Sequence, residues 1–379
     1  YFSGKYLPIG KYKMIIVSDI KLKKYTVKLK RPFVTNLHRQ DNAEGIVIAV
    51  SAKTETGIIF TGYGEAVPSL KVTGDTLTSI VAVINDIVKP AIVNQTFQTP
   101  AEVDEFVHGL IVFNSAARLA VSEAVYDIFA RIADLPIAEY LGGTSQPVVT
   151  DYTLSISQKN QMLQDADDIV SRGFSALKIK VGGDTIVNEI DKIAQLNHRY
   201  QKIHFRIDAN QAWTVAQTMQ FIEMALTKEL PIDFIEQPLK VGFEHQLKAL
   251  VVKSKIPIML DESVFNHHQA FQYMHETAVR LINVKLEKAG SITEAQKIFQ
   301  TVNDFNGQAM IGCMIESKIG IAFAVALANT NKTVKYVDLD APFMFNYDLV
   351  PDGLRLDQTQ LIPSNQSGLG IAQRSFDGI

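Results

Sequence analysis

From Val148 onward, short apolar runs alternate with stretches of helical periodicity. The runs Val148–Ile156, Ala176–Val181, Ile203–Ala209, Phe234–Gln237, Pro257–Asp261, Arg280–Leu286, Ala309–Met314 and Val334–Asp338 read as eight strands, spaced at about 25 residues. Eight strands at that interval predict a (β/α)8-type barrel. A doubly wound open sheet is the competing architecture, but it usually has fewer strands, and no GxGxxG or Walker loop follows any of these runs.

Upstream the pattern differs. Ile15–Phe33 is β-prone with polar alternation, Leu37–Glu44 is a polar interruption, and Ile46–Ala52 and Gly57–Glu65 read as two further strands. Helical patterns follow at Leu77–Val88, Ala101–Phe106 and Ala116–Ala133. Strands in series and then helices predict a small α+β domain. The turn signal at Gly142-Gly143 sets the expected boundary, giving a first domain over 14–143 and the barrel over 144–340. Residues 1–13 match no element this fold needs and are read as a tag or vector-derived segment.

Composition narrows the function. With 379 residues, 47% of them hydrophobic, the chain can bury one large core and a second domain. A net charge of -3 shows no basic bias and argues against nucleic acid or an anionic membrane surface as partner. No apolar run reaches the roughly 18 to 20 residues of a membrane helix. The single cysteine, Cys313, cannot form an intrachain disulfide, so a reducing cytoplasm is the expected compartment. The basic run Lys21–Arg31 alternates with apolar residues and reads as a solvated strand face, and His267-His268 as surface histidines. Cys313 reads as a packed small hydrophobe. Trp213 is expected to pack near the loop after the third barrel strand.

The chemistry sits where the apolar runs end. ALKIKV (Ala176–Val181) places Lys178 and Lys180 at i, i+2, on one face of a strand, where like charges repel and resist burial. RIDAN, FIEQP and LDES then end three successive strands on Asp208, Glu236 and Asp261, and NVKLEK ends the next on Lys285. In a barrel, polar residues at the C-terminal ends of strands converge on one mouth. Three carboxylates in register, with no His or Cys nearby, form an arc of hard oxygen donors that favours Mg2+ or Mn2+ over zinc. Counting strands puts the Lys178/Lys180 pair opposite Lys285. The eighth strand ends in VDLDAP, with Asp338 and Asp340 sharing a face opposite the fourth.

This combination resembles the enolase superfamily, specifically its muconate lactonizing enzyme subgroup. The likeness runs over nearly the whole chain from Met14 and includes GYGEA (Gly62–Ala66). GCMIES (Gly312–Ser317) with Asp338 and Asp340 resembles the dipeptide epimerases, of which the L-Ala-D/L-Glu epimerases are the best-known type. The resemblance implies a modified (β/α)7β barrel and an N-terminal α+β capping domain completed by the tail 341–379.

The physical chemistry of such a reaction agrees. A carbon acid beside a carboxylate yields a dianionic enediolate, which a divalent cation can neutralise while a lysine takes the proton. A lysine of pKa about 10.4 is mostly protonated at neutral pH. A second ammonium roughly 6 to 7 Å away raises its energy by about 2.5 kcal/mol at an effective dielectric of about 20. Lys180 and Lys285 are therefore expected as the two acid/base groups and Lys178 as the tuner of Lys180, matching the roles their counterparts have in the family.

Asp338 and Asp340 call for a cation, and the α-ammonium of a dipeptide is the simplest. Related reactions with the same lysines and metal, o-succinylbenzoate synthesis and cycloisomerisation, do not need that acidic pair. The epimerised side chain is expected to reach the loop Val34–Glu44 and the segment near Ile58 and Phe60, with Asn210 of the DAN motif as a further substrate contact. Family members acting on Ala-Glu tend to carry an Arg in the first loop. Here His38 stands at that place, with Arg39 one residue on. L-Ala-D/L-Glu leads, and more hydrophobic or mixed dipeptides are the alternative. The partner is then a small dipeptide, and a homo-oligomer is compatible with this reading.

Overall fold

The computed structural model describes residues 14–379, so the expected tag over 1–13 lies outside the described residues. Strands β1 (Ile15–Val34), β2 (Arg39–Thr54), β3 (Ile59–Ala66) and β4 (Thr96–Phe97) form one sheet in the order β3-β2-β1-β4. Alternation along β1 exposes Lys28 and Lys30 while burying Val27 and Leu29, as read for a solvated strand face. The polar stretch Leu37–Glu44 is not an interruption. From Arg39 it pairs with β1, Val27 opposite Ala43 and Phe33 opposite Gln40. Ladder hydrogen bonds, rather than apolar side chains, hold this two-stranded extension, so its polarity was a poor guide.

One face of the sheet packs on the helix Ser115–Ile132, and the two share a core that includes Ile46, Ile48, Val50, Val121 and Val125. The approach is closest at β3. A Cβ on Gly62 or Gly64 would lie 2.0 Å from the carbonyl oxygen of Ala124 or Ala120, so only glycine fits. The helical pattern at Leu77–Val88 is a helix over Leu77–Ala82 that widens to a π-helical turn over Val83–Val88.

Strand β5 (Val148–Val149) then leads into the barrel: β6 (Tyr152–Leu154), β7 (Ala176–Lys180), β8 (His204–Asp208), β9 (Ile232–Glu236), β10 (Ile258–Leu260), β11 (Leu281–Lys285), β12 (Gln308–Gly312) and β13 (Val334–Asp338). All eight from β6 to β13 run parallel in sequential order. Helices cross between each pair, as in the expected (β/α)7β arrangement, and Thr185, Thr214, Asn266 and Ser291 cap four of them. The first expected strand, Val148–Ile156, is split. Its start leaves the barrel to pair with β15 (Gln360–Ile362), which is hairpinned to β14 (Arg355–Asp357).

The seam between β6 and β13 is closed by a backbone bond from Asp151 to Val337 O at 3.2 Å. Arg206 Nη1 also reaches Asp151 Oδ2 (2.6 Å) and Val337 O (3.0 Å). Beyond the barrel the chain returns to the first domain. Asp127 accepts from Leu369 N at 2.7 Å, Arg131 donates to Ile371 O at 3.0 Å, and Phe376 stacks on Tyr63. Among the described residues, no helix is long and apolar enough to cross a membrane.

Candidate active site

Strand register puts the ionisable groups in one layer at the C-terminal rim. Lys180 pairs with Asp208 and Asp208 with Glu236; on the other side Lys285 pairs with Gly312 and Gly312 with Asp338. Asp261 follows β10 directly. These residues, with Lys178 and Asp340, are between 0% and 7% exposed, so their charges must balance one another.

They do so as one network. Lys178 Nζ lies 2.6 Å from Asp338 Oδ2, 2.8 Å from Glu236 Oε2 and 3.1 Å from Asp208 Oδ2. Lys180 Nζ lies 2.5 Å from the same Asp208 oxygen. Lys285 Nζ is 2.8 Å from Asp261 Oδ2, and Lys288 Nζ is 2.6 Å from Asp261 Oδ1.

Lys178 and Lys180 are bridged by a carboxylate. The Asp208 carboxylate touches both ammonium groups. Burial pulls the pKa of Lys178 down, but Asp338, Glu236 and Asp208 outweigh it and hold it well above the ordinary lysine range. Lys285 is likewise raised: burial and Lys178 pull its pKa down, but Asp261, Glu236 and Asp338 together outweigh them. Burial opposes ionisation of Asp208, yet Lys180 and Lys178 bring its pKa down to about 2. Burial and then Asp208 push Glu236 up to about 7. Asp338 is lowered because Lys178 and Lys285 overcome burial, whereas burial and Asp338 raise Asp340 to about 7.

The lysines and acids open into a cavity between the barrel and the first domain, lined by Lys178, Lys180, Lys285, Asp261, Asp338, Asp340, Asn210, His38 and Cys313. Cys313 thus forms part of the wall rather than simply packing inside. Phe33, Leu37, Val67, Pro68, Val72, Met314 and Ile315 supply apolar lining. His38 Nε2 meets Gln40 Oε1 at 3.2 Å. Burial, and then Lys180 and Lys285, lower its pKa, so the ring is neutral at neutral pH.

Three expected substrate contacts do not reach this cavity. Arg39 turns to solvent and pairs with Asp41 at 2.8 Å, because adjacent residues of a strand face opposite sides. Ile58 is 45% exposed in the β2–β3 turn, and Phe60 packs against the core of the first domain. That turn is at the far end of β2 from His38, roughly 50 Å away along a 16-residue strand. The other end of β3 leads instead to the residues that line the cavity, Val67, Pro68, Ser69 and Val72. Of the remaining readings, Trp213 packs on Phe221 after β8 as expected, and His267 meets Glu294 at 2.7 Å.

Other groups in the site had a weaker signal in the sequence. Glu262 lines the cavity and accepts from Asn210 at 3.1 Å, and burial and then Asp261 push its pKa up to about 7. Asn283 donates to Glu236 Oε1 at 2.7 Å, and its i, i+2 spacing from Lys285 could have revealed it. Lys288 also donates to the carbonyls of Asp261, Val264 and Asn283.

The donor chemistry of Asp208, Glu236 and Asp261 fits Mg2+. All are hard oxygens, and buried Glu236 Oε2 and Asp261 Oδ1 have no hydrogen bond, only ammonium neighbours. Among the described residues no three Asp, Glu, His or Cys side chains already converge as a metal cage; here the lysines neutralise the carboxylates.

Behind the cavity a second acidic group joins the two domains. Glu65 accepts from Tyr25 OH, Ser317 N and Oγ, and Gly320 N; Glu123 accepts from Glu65 N; Glu287 accepts from Val67 N. Glu316 folds back onto Met314 N at 2.7 Å.

Comparison with known proteins agrees with this architecture. Residues 18–142 match the mandelate racemase / muconate lactonizing enzyme N-terminal domain, and residues 161–375 match the enolase C-terminal domain-like family. The L-Ala-D/L-Glu epimerase of Bacillus subtilis (strain 168) is 33% identical over 93% of this chain and 95% of its own. The hydrophobic dipeptide epimerase of Enterococcus faecalis is 34% identical over 94% of this chain and 99% of its own. The crystal structure of the E. faecalis dipeptide epimerase with Mg and L-Leu-L-Tyr superposes with a TM-score of 0.86, at 33% identity, covering 94% of this chain and 100% of that one. The chain thus belongs to the mandelate racemase / muconate lactonizing enzyme family, on an enolase-type barrel.

Proposed function

We propose that this protein is a dipeptide epimerase that inverts the α-carbon of the C-terminal residue by two-base 1,1-proton transfer. The observation that carries this reading is the pair Lys180 and Lys285. They line one cavity from β7 and β11, strands four apart and so on opposite sides of an eight-stranded barrel. One lysine takes the proton from one face of the α-carbon and the other delivers a proton to the opposite face. Asp208, Glu236 and Asp261 would hold Mg2+, which when bound would supply positive charge to offset the enediolate. Asp338 and Asp340 receive the α-ammonium of the N-terminal residue, which supports a dipeptide over the substrates of o-succinylbenzoate synthases or cycloisomerases.

The side-chain wall supports an uncharged residue at the epimerised position. His38 is neutral there and Arg39 is turned away, so a glutamate side chain meets no dedicated cation from the first domain. A dipeptide library in D2O, scored by mass increase, tests both levels. Labelling of Ala-Leu or Ala-Phe above Ala-Glu is expected. Dominant labelling of Ala-Glu would overturn the side-chain reading, and no labelling of any dipeptide would overturn the epimerase reading.

A further inference from the structure

We infer that Asn283 is a positioning residue for Glu236, and that position 312 is glycine because the Asn283 amide occupies its side-chain space. The inference rests on the metal-dependent reading above. Asn283 is fully buried inside the barrel, two residues before Lys285 on β11. Its amide spans from β11 to β9, two strands away, as inward side chains from alternate strands do when they share a layer. Nδ2 donates to Glu236 Oε1 at 2.7 Å, while Glu236 Oε2 faces Lys178 at 2.8 Å. The carboxylate is thus held in rotation from both sides.

The amide itself has little room to turn. Asn283 Oδ1 is buried without a hydrogen bond on the side of Gly312. A Cβ at position 312 would lie 2.4 Å from Oδ1 and 2.9 Å from Nδ2. With Glu236 ionised, as metal binding requires, rotating the amide by half a turn would set its oxygen against a carboxylate oxygen, two acceptors with no proton between them. Asn283 therefore offers Glu236 a donor and no charge. A lysine there would also orient the carboxylate, but it would cancel part of the negative charge that attracts a divalent cation.

The test is Mg2+ titration by calorimetry on the full chain, with circular dichroism and melting of metal-free protein as the check on folding. Asn283→Ala is expected to weaken Mg2+ binding by about 10- to 100-fold, the usual effect of losing such a partner of a ligand. Asn283→Leu, which keeps the volume and drops the donor, should do the same. Gly312→Ala should weaken Mg2+ binding too, and it should add nothing in the Asn283→Ala background. Folded Asn283→Ala and Asn283→Leu proteins that bind Mg2+ within twofold of wild type would overturn the inference, as would full additivity of the two alanine changes. Wild-type protein that takes up no Mg2+ would overturn the metal-dependent reading beneath it.

Discussion

Lys285 Nζ lies 2.8 Å from Asp261 Oδ2, so a proposed proton carrier is salt-bridged to a proposed metal ligand. That contact helps hold the lysine in its charged form: burial pulls its pKa down, and Asp261, with Glu236 and Asp338, more than offsets it. Coordination of a divalent cation would draw on the same carboxylate and loosen its hold. Chelator-treated protein is accordingly expected to lose epimerase activity by at least about 100-fold and to regain it on addition of Mg2+. Full activity after exhaustive chelation would contradict this.

Each lysine should serve one face of the α-carbon. Lys285→Ala and Lys180→Ala are each expected to abolish inversion while keeping α-proton exchange for one epimer, and the two variants should retain opposite epimers. Mass spectrometry of each pure epimer in D2O reads this directly. A single-lysine variant that still inverts at more than about 1% of the wild-type rate would remove the two-base assignment.

The acidic pair on the eighth strand leads to a substrate test. An N-acetyl dipeptide, lacking the ammonium, should fall in kcat/KM by about 100-fold or more relative to the same dipeptide unblocked. Asp340→Asn should narrow that gap, chiefly through a higher KM for the unblocked substrate. Asp340 suits the comparison better than Asp338, whose carboxylate also holds Lys178 at 2.6 Å. An unchanged gap in the variant would place the ammonium elsewhere.

Stability should respond to pH through the acids between the domains. Burial, and then Glu65, pushes Glu316 up to about 8, and burial first, then neighbouring acids, holds Glu287 well above the carboxylate range. Glu65 and Glu123 are also raised by burial. Their unfolded pKa is about 4.3, so folding takes up protons. The stabilisation is full below that value and is lost as pH rises toward the folded values. The melting temperature of the wild type should therefore fall between pH 5.5 and 8.5. Glu316→Gln, whose amide oxygen can still accept from Met314 N, should reduce that fall by about 5 °C. A pH dependence identical in the two proteins would show that Glu316 ionises normally.

Much of this was legible because parallel strands carry their chemistry at their ends. Lys178, Lys180, Asp208, Glu236, Asp261 and Lys285 each close an apolar run, and the count of runs alone told which strands face each other. Asp338 and Asp340 followed from period two. What the local pattern hid depended on partners distant in sequence. The polar start of β2 is a strand only because β1 is beside it. Proximity to a loop points to Arg39 and Ile58, whereas strand alternation and strand length decide where they lie. The period-two spacing from Lys285 marks Asn283, whereas the four buried glutamates are ordinary polar residues until the two domains close around them.

The return of the chain to the first domain orders events during synthesis. Asp127 and Arg131 are translated well before Leu369 and Ile371, the residues whose backbone groups they bind. Until the ribosome has added more than 200 further residues, the buried carboxylate of Asp127 lacks a partner that its final environment requires. The first domain emerges first and is finished last. On a ribosome stalled after β13 it should accordingly be cut by protease faster than in the completed chain, even though every strand of its own sheet is already present.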